Sequence, residues 1–198
     1  KMEKTLIAKI EDVLPDTINP GRLKHTLGVV EAAKYLAQKY KENIFDAEIA
    51  ALLHDFAKDY NEEQLREYIG QHDIIVDNIL MKTYELLHGK VGASIARIEF
   101  GISNQDILNA IENHTTGRRG MSNLEKIIYL ADFIEKGRKY PGVEQLRKLA
   151  DENLDEAVLM ALNNTISYVI NTGKLLHPNT LYARNEILYE TKNIRGIG

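Results

Sequence analysis

The chain has 198 residues, of which 44% are hydrophobic, so it is long enough to bury one sizeable core. Its formal net charge of −4 argues against non-specific binding to nucleic acid or to a membrane surface. The absence of cysteine excludes disulfides, thiolate-bound zinc and iron–sulfur clusters. No apolar run approaches the roughly 18 residues of a membrane span, and no signal-peptide pattern opens the chain, so we expect a cytoplasmic protein.

Helical periodicity runs through nearly the whole sequence, and four prolines leave long segments uninterrupted. In chain order, we predict helices at residues 4–14, 22–40, a helix that contains His54, 62–69, 84–100, 103–114, 122–137, 143–153 and 154–172, and a last helix from Leu181. No segment of useful length alternates as a β-strand does. The expected fold class is therefore all-α: one domain over residues 1–198, with a core at about 20–140 and C-terminal helices at about 143–195 packing on it.

Local signals set the predicted helix ends. Pro15 is expected to end the first helix, and Asp46 to cap the helix that contains His54. Two pairs resemble capping boxes: Ser103 with Asp106, and Ser122 with Glu125.

His54 and Asp55 are adjacent in the otherwise small and apolar stretch of residues 50–57, which we expect to be helical. A histidine and a carboxylate are costly to bury in such surroundings unless something pairs with them. A divalent metal ion is one such partner.

Polar side chains recur on the apolar faces of four other predicted helices: His25, His88, His114 and Asp132. Any one of these histidines, taken alone, is more often an ordinary hydrogen-bonded core residue than a ligand. Independent core histidines would each need a buried partner, whereas one shared ion and the phosphates it binds would satisfy all of them together. Imidazole and carboxylate ligands without sulfur suit iron, manganese or zinc.

The ordered set His25, His54–Asp55 and Asp132 resembles the signature of the HD-domain metal-dependent phosphohydrolases. The local sequence is similar to one branch of them, the YqeK-type symmetrical dinucleoside-tetraphosphatases. The matching stretches are RLKHTLGV at 22–29, LLHDFAK at 52–58, HGKVGA at 88–93, NHTTG at 113–117, ADFIEKGR at 131–138 and LHPNTLYARN at 176–185.

The resemblance implies an HD-domain helical bundle that cuts diadenosine tetraphosphate and related dinucleotides symmetrically into two nucleoside diphosphates, with bound iron. The implied metal ligands are His25, His54, Asp55 and Asp132. The implied phosphate contacts are Arg22, Lys58, His88, His114 and Arg138. The substrate site also takes in Asp55, Phe56, Ala57 and Asp132, and the nucleotide packs against Leu175, Leu176, His177, Pro178, Asn179 and Thr180. Asp55 and Lys58 are the expected catalytic residues, in a hydrolysis where the metal lowers the pKa of a bound water.

Several alternatives stay open at this point. His88 and His114 either contact phosphate or ligate a second metal. Lys58 could be a solvated helix residue, and His177 could cap a loop. The enzyme could instead be an HD-type nucleotidase or phosphodiesterase acting on mononucleotides or cyclic nucleotides. Two non-enzymatic alternatives are a nucleotide-binding regulator and a purely structural helical bundle. We expect no nucleic-acid or membrane partner, and a homodimer remains open.

Overall fold

The computed structural model describes residues 2–192, with side chains from residue 5 onward. This part of the chain forms α-helices and one short 3₁₀ helix and contains no strand, so the all-α prediction is confirmed. The α-helices are α1 Met2–Thr17, α2 Pro20–Tyr40, α3 Ile44–Leu53, α4 Glu62–Gln71, α5 Asn78–Lys82, α6 His88–Ile98, α7 Gln105–Glu112, α8 Asn123–Ile134, α9 Val143–Glu152, α10 Leu154–Asn171 and α11 Pro178–Lys192. The predicted C-terminal region to residue 195 thus extends past the described residues.

Helix α8 lies at the centre of the packing. It contacts α2 and α3 on one side, α7 on another, and α9 and α10 towards the C-terminus. Its residues Ile127, Ile128, Leu130 and Ala131 are fully buried, as expected for a helix that is surrounded by others. Helix α11 packs along α10 at the outside of this arrangement.

Three predicted helix ends are wrong. Helix α1 continues through Pro15 to Thr17, because Pro15 is exposed and the carbonyl group that loses its partner can bond to water. Asn43 caps α3 in place of Asp46, by accepting bonds from the backbone of Phe45 and Asp46. Asn104 caps α7 in place of Ser103. The capping box of Ser122 and Glu125 on α8 is confirmed.

Other elements differ from the periodicity-based prediction. Helix α3 ends at Leu53, and the residues that follow it form a turn. The predicted helix at 84–100 is divided into the 3₁₀ helix Tyr84–Leu86 and α6. Helix α5 is five residues long, too short for a periodic signal, and was not predicted. Helix α11 begins at Pro178, where proline suits the first helical turn.

A glycine allows α6 and α7 to approach closely. A Cβ atom on Gly89 would lie 2.5 Å from the backbone oxygen of Glu112, so a larger residue at this position would push the two helices apart. This close approach brings His88, at the start of α6, next to His114, just after α7.

Within the described residues, no helix combines the length and the apolar character that a membrane crossing requires.

Candidate metal centre

A cavity of about 400 Å³ lies where α2, α3, α6, α7 and α8 meet. Its lining is dominated by charged and imidazole side chains: Asn19, Gly21, Arg22, His25, Asp55, Lys58, His88, His114, Thr115, Asp132 and Arg138. His54 lies directly behind Asp55 and is completely buried. The structure thus gathers the predicted metal ligands and phosphate contacts around one space.

His54 is held in one orientation by the end of α3. Its Nδ1 atom donates a hydrogen bond to the backbone oxygen of Ala51 at 2.6 Å, which leaves Nε2 as the free ring nitrogen. That Nε2 atom is buried and has no hydrogen-bond partner among the described residues. A buried nitrogen of this kind costs free energy unless a ligand takes its lone pair.

His25, on α2, is also held in place through its Nδ1 atom. Its Nδ1 atom donates to the carboxylate of Glu135 at 3.2 Å, and its Nε2 atom lies 2.9 Å from Oδ1 of Asp132. A histidine ligand usually donates its second ring nitrogen to a carboxylate in this way, which fixes the ring and raises its basicity.

His88 and His114 repeat the arrangement beside Asp55. Their Nδ1 atoms donate to the backbone oxygens of Glu85 and Ile111, each at 2.7 Å. Their Nε2 atoms lie 3.0 Å from each other and 3.1 and 3.4 Å from Oδ1 of Asp55. Two lone pairs and a carboxylate oxygen repel one another at such distances, so a proton or another cation must lie among them.

The donor set fits a divalent metal ion. Ligand atoms of His25, His54 and Asp55 all lie within 4.8 Å of one another, and those of Asp55, His88 and His114 form a second such group. Asp132 joins the first group through its 2.9 Å contact with His25. The unpartnered Nε2 atom of His54 is the observation that an ion would explain most directly.

Electrostatics keeps the carboxylates ionised. Burial alone would raise the pKa of Asp55, but the imidazoles of His54, His114 and His88 hold it well below its usual range. Burial would also raise the pKa of Asp132, but the hydrogen bond from His25 and the nearby charges of His54 and Arg138 together outweigh it, so that its pKa is lowered. Burial lowers the pKa of His88 to about 4, which leaves its imidazole neutral near pH 7. The cavity therefore offers ionised carboxylate oxygens and at least one neutral imidazole, that of His88, to a cation.

Three cationic side chains stand around the same space. Arg22 donates to Oδ2 of Asp55 at 3.2 Å and to Oδ1 of Asp59 at 2.9 Å. Arg138 donates to the backbone oxygen of Asp132 at 2.7 Å and to its Oδ1 atom at 2.5 Å. The Lys58 amine lies 3.3 Å from the backbone oxygen of Glu85, and burial lowers its pKa despite the charge of Asp55. These groups suit a polyanionic ligand.

The remaining predicted substrate residues lie away from the lining of this cavity. The side chains of Phe56 and Ala57 are buried in the core, where Phe56 packs against Phe100 with ring centres 5.6 Å apart. Residues 175–177 precede α11 and residues 178–180 form its first turn, and Nε2 of His177 bonds to Asp77 at 2.8 Å. The role of these residues in substrate binding stays a prediction.

Sequence reasoning missed several residues that shape the site. Thr115 lines the cavity beside His114. Asp59 accepts hydrogen bonds from Arg22 and from both the backbone and side chain of Asn19. Glu135 supports His25 from behind. The available signal for Glu135 was its position three residues after Asp132, near the end of the same predicted helix.

Comparison with known proteins places the chain in a family. A model described as the HD domain matches residues 22–137, more than half of the chain. A protein of Halalkalibacterium halodurans named symmetrical bis(5'-nucleosyl)-tetraphosphatase is 45% identical, over 86% of this chain and 91% of its own length. A Bacillus subtilis protein with the same name is 38% identical, over 83% of this chain and 88% of its own length.

A solved structure gives the same result for the fold. The crystal structure of a Clostridium acetobutylicum protein, described as a predicted HD superfamily hydrolase involved in NAD metabolism, superposes with a TM-score of 0.89. The two sequences are 45% identical, and the match covers 92% of this chain and 97% of the other. The resemblance carried by His25, His54, Asp55 and Asp132 is thereby confirmed, and the chain belongs to the HD domain family of metal-dependent hydrolases.

Proposed function

We propose that this protein hydrolyses diadenosine tetraphosphate, and related dinucleoside polyphosphates, symmetrically into two nucleoside diphosphates. The observation that carries the proposal is the convergence of four imidazole Nε2 atoms on Asp55 and Asp132, beside the cations Arg22, Lys58 and Arg138. The relatives named for this reaction, at 38% and 45% identity over most of the chain, support it.

Iron is the metal that we propose for the site, held by His25, His54, Asp55 and Asp132. The support is the donor set of imidazole nitrogens and carboxylate oxygens without sulfur, which manganese or zinc could also use. When bound, such an ion lowers the pKa of a bound water and polarises a phosphoryl oxygen. Elemental analysis of the purified protein distinguishes the three metals.

Asp55 is the residue that we place closest to the reacting atoms. Its Oδ1 atom faces His88 and His114, and its Oδ2 atom faces His54 at 3.7 Å and Arg22 at 3.2 Å. Because its pKa is held low, this carboxylate is available both to ligate a cation and to accept a hydrogen bond from the attacking water. Such a bond would orient the water towards the inner phosphorus.

The cationic side chains would stabilise charge on the phosphoryl oxygens. Arg22 and Arg138 offer forked N–H donors that match phosphate oxygens, and the carboxylate of Asp59 fixes the position of Arg22. Lys58 supplies a point charge from the turn that follows α3. Negative charge develops as the diphosphate leaves. Neutralising that charge lowers the barrier more in a part-buried site than in open water.

For His88 and His114 we propose contact with phosphate. Their paired Nε2 atoms, 3.0 Å apart, can share a proton that a phosphate oxygen would accept. The other reading is a second metal bound by these histidines and Asp55. Metal content separates the two readings, since the first expects one ion per chain and the second expects two.

One nucleoside of the substrate is proposed to pack against the segment Leu175–Thr180. The hydrogen bond between His177 and Asp77 ties the start of α11 to the residue that caps α5. Phe56 and Ala57 precede Lys58 in the turn after α3, and with buried side chains they could contribute only backbone groups.

Product analysis on diadenosine tetraphosphate tests the proposal. The metal-loaded protein is expected to release ADP alone, whereas AMP plus ATP would mean asymmetrical cleavage and would refute it. Asp55→Ala is expected to lose metal and to lower the rate at least about a hundredfold, while the fold is retained. Asp16→Ala, which changes an exposed carboxylate on α1, is the matched control and should leave the rate unchanged.

A further inference from the structure

A second groove opens directly beside the metal cavity. It has a volume of about 510 Å³ and is lined by Asp132, Phe133, Arg138, Tyr140, Pro141, Asn164, Thr165 and Tyr168. We call it the Tyr168 groove. Asp132 and Arg138 line both spaces, so a ligand that reaches from one to the other passes these two side chains.

The inner wall of the Tyr168 groove is held in place by hydrogen bonds and ring packing. The Tyr140 hydroxyl donates to the backbone oxygen of Phe133 at 2.8 Å, which ties the loop after α8 to the end of that helix. The Thr165 hydroxyl donates to Ala161 and lies 2.9 Å from the Tyr129 hydroxyl. This wall therefore presents a fixed, largely aromatic surface.

The outer wall is formed by two side chains of α10 that lack partners among the described residues. Tyr168 is 60% exposed and makes no side-chain hydrogen bond there. Asn164, one turn earlier, is exposed, and its amide, which carries both donors and an acceptor, is likewise unpaired. An exposed aromatic ring beside a free amide is suited to stack on a planar heterocycle and to bond to its edge.

We propose that the Tyr168 groove binds the purine base of one substrate nucleoside, with Tyr168 as the stacking residue and Asn164 at the edge of the base. This inference rests on the proposed function, because a dinucleoside substrate needs two base subsites on one phosphate site. The segment of residues 175–180 would form only one of these two base subsites. Arg138 donates a hydrogen bond to Asp132 where the metal cavity and the Tyr168 groove meet. In the proposed complex it would lie between the phosphates and the nucleoside whose base occupies the groove.

Binding measurements with ADP and inorganic pyrophosphate test the groove separately from the reaction. Calorimetry on the metal-loaded protein would compare the wild type with Tyr168→Ala, Tyr168→Phe and Tyr189→Ala. Tyr189, on α11, is 57% exposed and lies outside the groove, so it is the matched control. Tyr168→Ala is expected to weaken ADP about tenfold, the usual size of one base–aromatic stack, and to leave pyrophosphate unchanged. Tyr168→Phe, which keeps the ring, should bind ADP as the wild type does.

Three results would overturn the inference. The first is ADP binding by Tyr168→Ala that equals that of Tyr189→Ala. The second is an equal loss of ADP and pyrophosphate, which would indicate a general disturbance of the site. The third is dissociation of a dimer by Tyr168→Ala with ADP affinity preserved, which would make the groove an interface between two copies. Wild-type protein that binds ADP through Tyr168 yet releases no ADP from diadenosine tetraphosphate would support the groove and refute only the proposed reaction.

Discussion

The carboxylate of Glu135 accepts a hydrogen bond from Nδ1 of His25, on the side of the ring opposite to the Nε2 atom that faces Asp132. The backbone N–H of Gly137 also donates to Glu135, at 2.5 Å. Glu135 is thus a buried positioning residue that sets the orientation and basicity of His25, a proposed metal ligand, without lining the cavity itself.

Replacing Glu135 should therefore weaken metal binding. We expect Glu135→Gln, which keeps an acceptor but loses the charge, to reduce metal affinity about tenfold, and Glu135→Ala to reduce it by up to about a hundredfold. Competition with a chelator of known affinity measures this directly. Glu190→Gln, at an exposed position on α11, is the control. Unchanged metal affinity in Glu135→Ala would show that His25 needs no support from this carboxylate.

Gly28 on α2 makes room for Glu135. A Cβ atom there would lie 2.5 Å from Oε2 of Glu135, so Gly28→Ala should displace the carboxylate and lower the free energy of unfolding by about 1–3 kcal/mol. Gly70→Ala, in α4, meets nothing within 4 Å and should raise it by about 0.5–1 kcal/mol through helix propensity. Urea unfolding measures both. Equal stability of the two variants would contradict the packing argument.

Asp59 should make stability depend on acid pH. Burial raises its pKa, but hydrogen bonds from the Asn19 backbone and from Arg22 outweigh burial and bring it below the ordinary value of 3.8. Because the folded-state pKa is the lower one, the stabilisation is present above the unfolded-state pKa and is lost as the pH falls through the folded-state value.

The difference in unfolding free energy between wild type and Asp59→Asn is therefore expected to be largest near about pH 6 and to shrink below about pH 4. Urea unfolding curves at a series of pH values measure it. Asp12→Asn, at an exposed position on α1, should show no such dependence. A difference that grew as the pH fell would have the wrong sign and would rule the explanation out.

Metal removal should destabilise the fold, because the buried Nε2 atom of His54 and the carboxylates of Asp55 and Asp132 then lose a shared partner. At a metal concentration of about 100 times Kd, binding to the folded state contributes about 2.7 kcal/mol. For a chain of this size, that corresponds to a rise in Tm of roughly 5–10 °C over the chelator-treated protein. Calorimetry with and without metal measures the shift. Asp55→Ala should show little of it, and an equal shift in that variant would point to a different ion site.

The fold class and the centre of the site could be predicted because their signals are local or ordered along the chain. Apolar residues at helical spacing predicted the helices. Costly polar residues on apolar faces predicted a shared partner for His25, His54, Asp55, His88, His114 and Asp132, and the family resemblance singled out four of them as metal ligands. The capping box of Ser122 could be predicted because its two residues are only three positions apart and bond to each other's backbone.

Features that depend on tertiary packing could not be predicted in this way. Asn43 and Asp46 are both good capping residues, and where the chain turns into α3 decides between them. Apart from its place near Asp132, nothing in the sequence distinguishes Glu135 from the other glutamates. Its role follows from the packing of α2 against α8, which brings His25 and Gly28 next to it. Tyr168 likewise could be recognised as a groove residue only from the structure, in which α10 places it beside the loop that contains Arg138.

Helix ends of both polarities reach the cavity. Helices α3 and α7 end just before His54 and His114, and Asp132 lies in the last turn of α8, so three carboxyl-terminal ends with partial negative charge converge there. The amino-terminal ends of α2 and α6 reach the same cavity at Gly21 and His88, and they carry partial positive charge. The helix ends alone therefore contribute partial charges of both signs to the cavity, so that a cation and an anion can each be stabilised there.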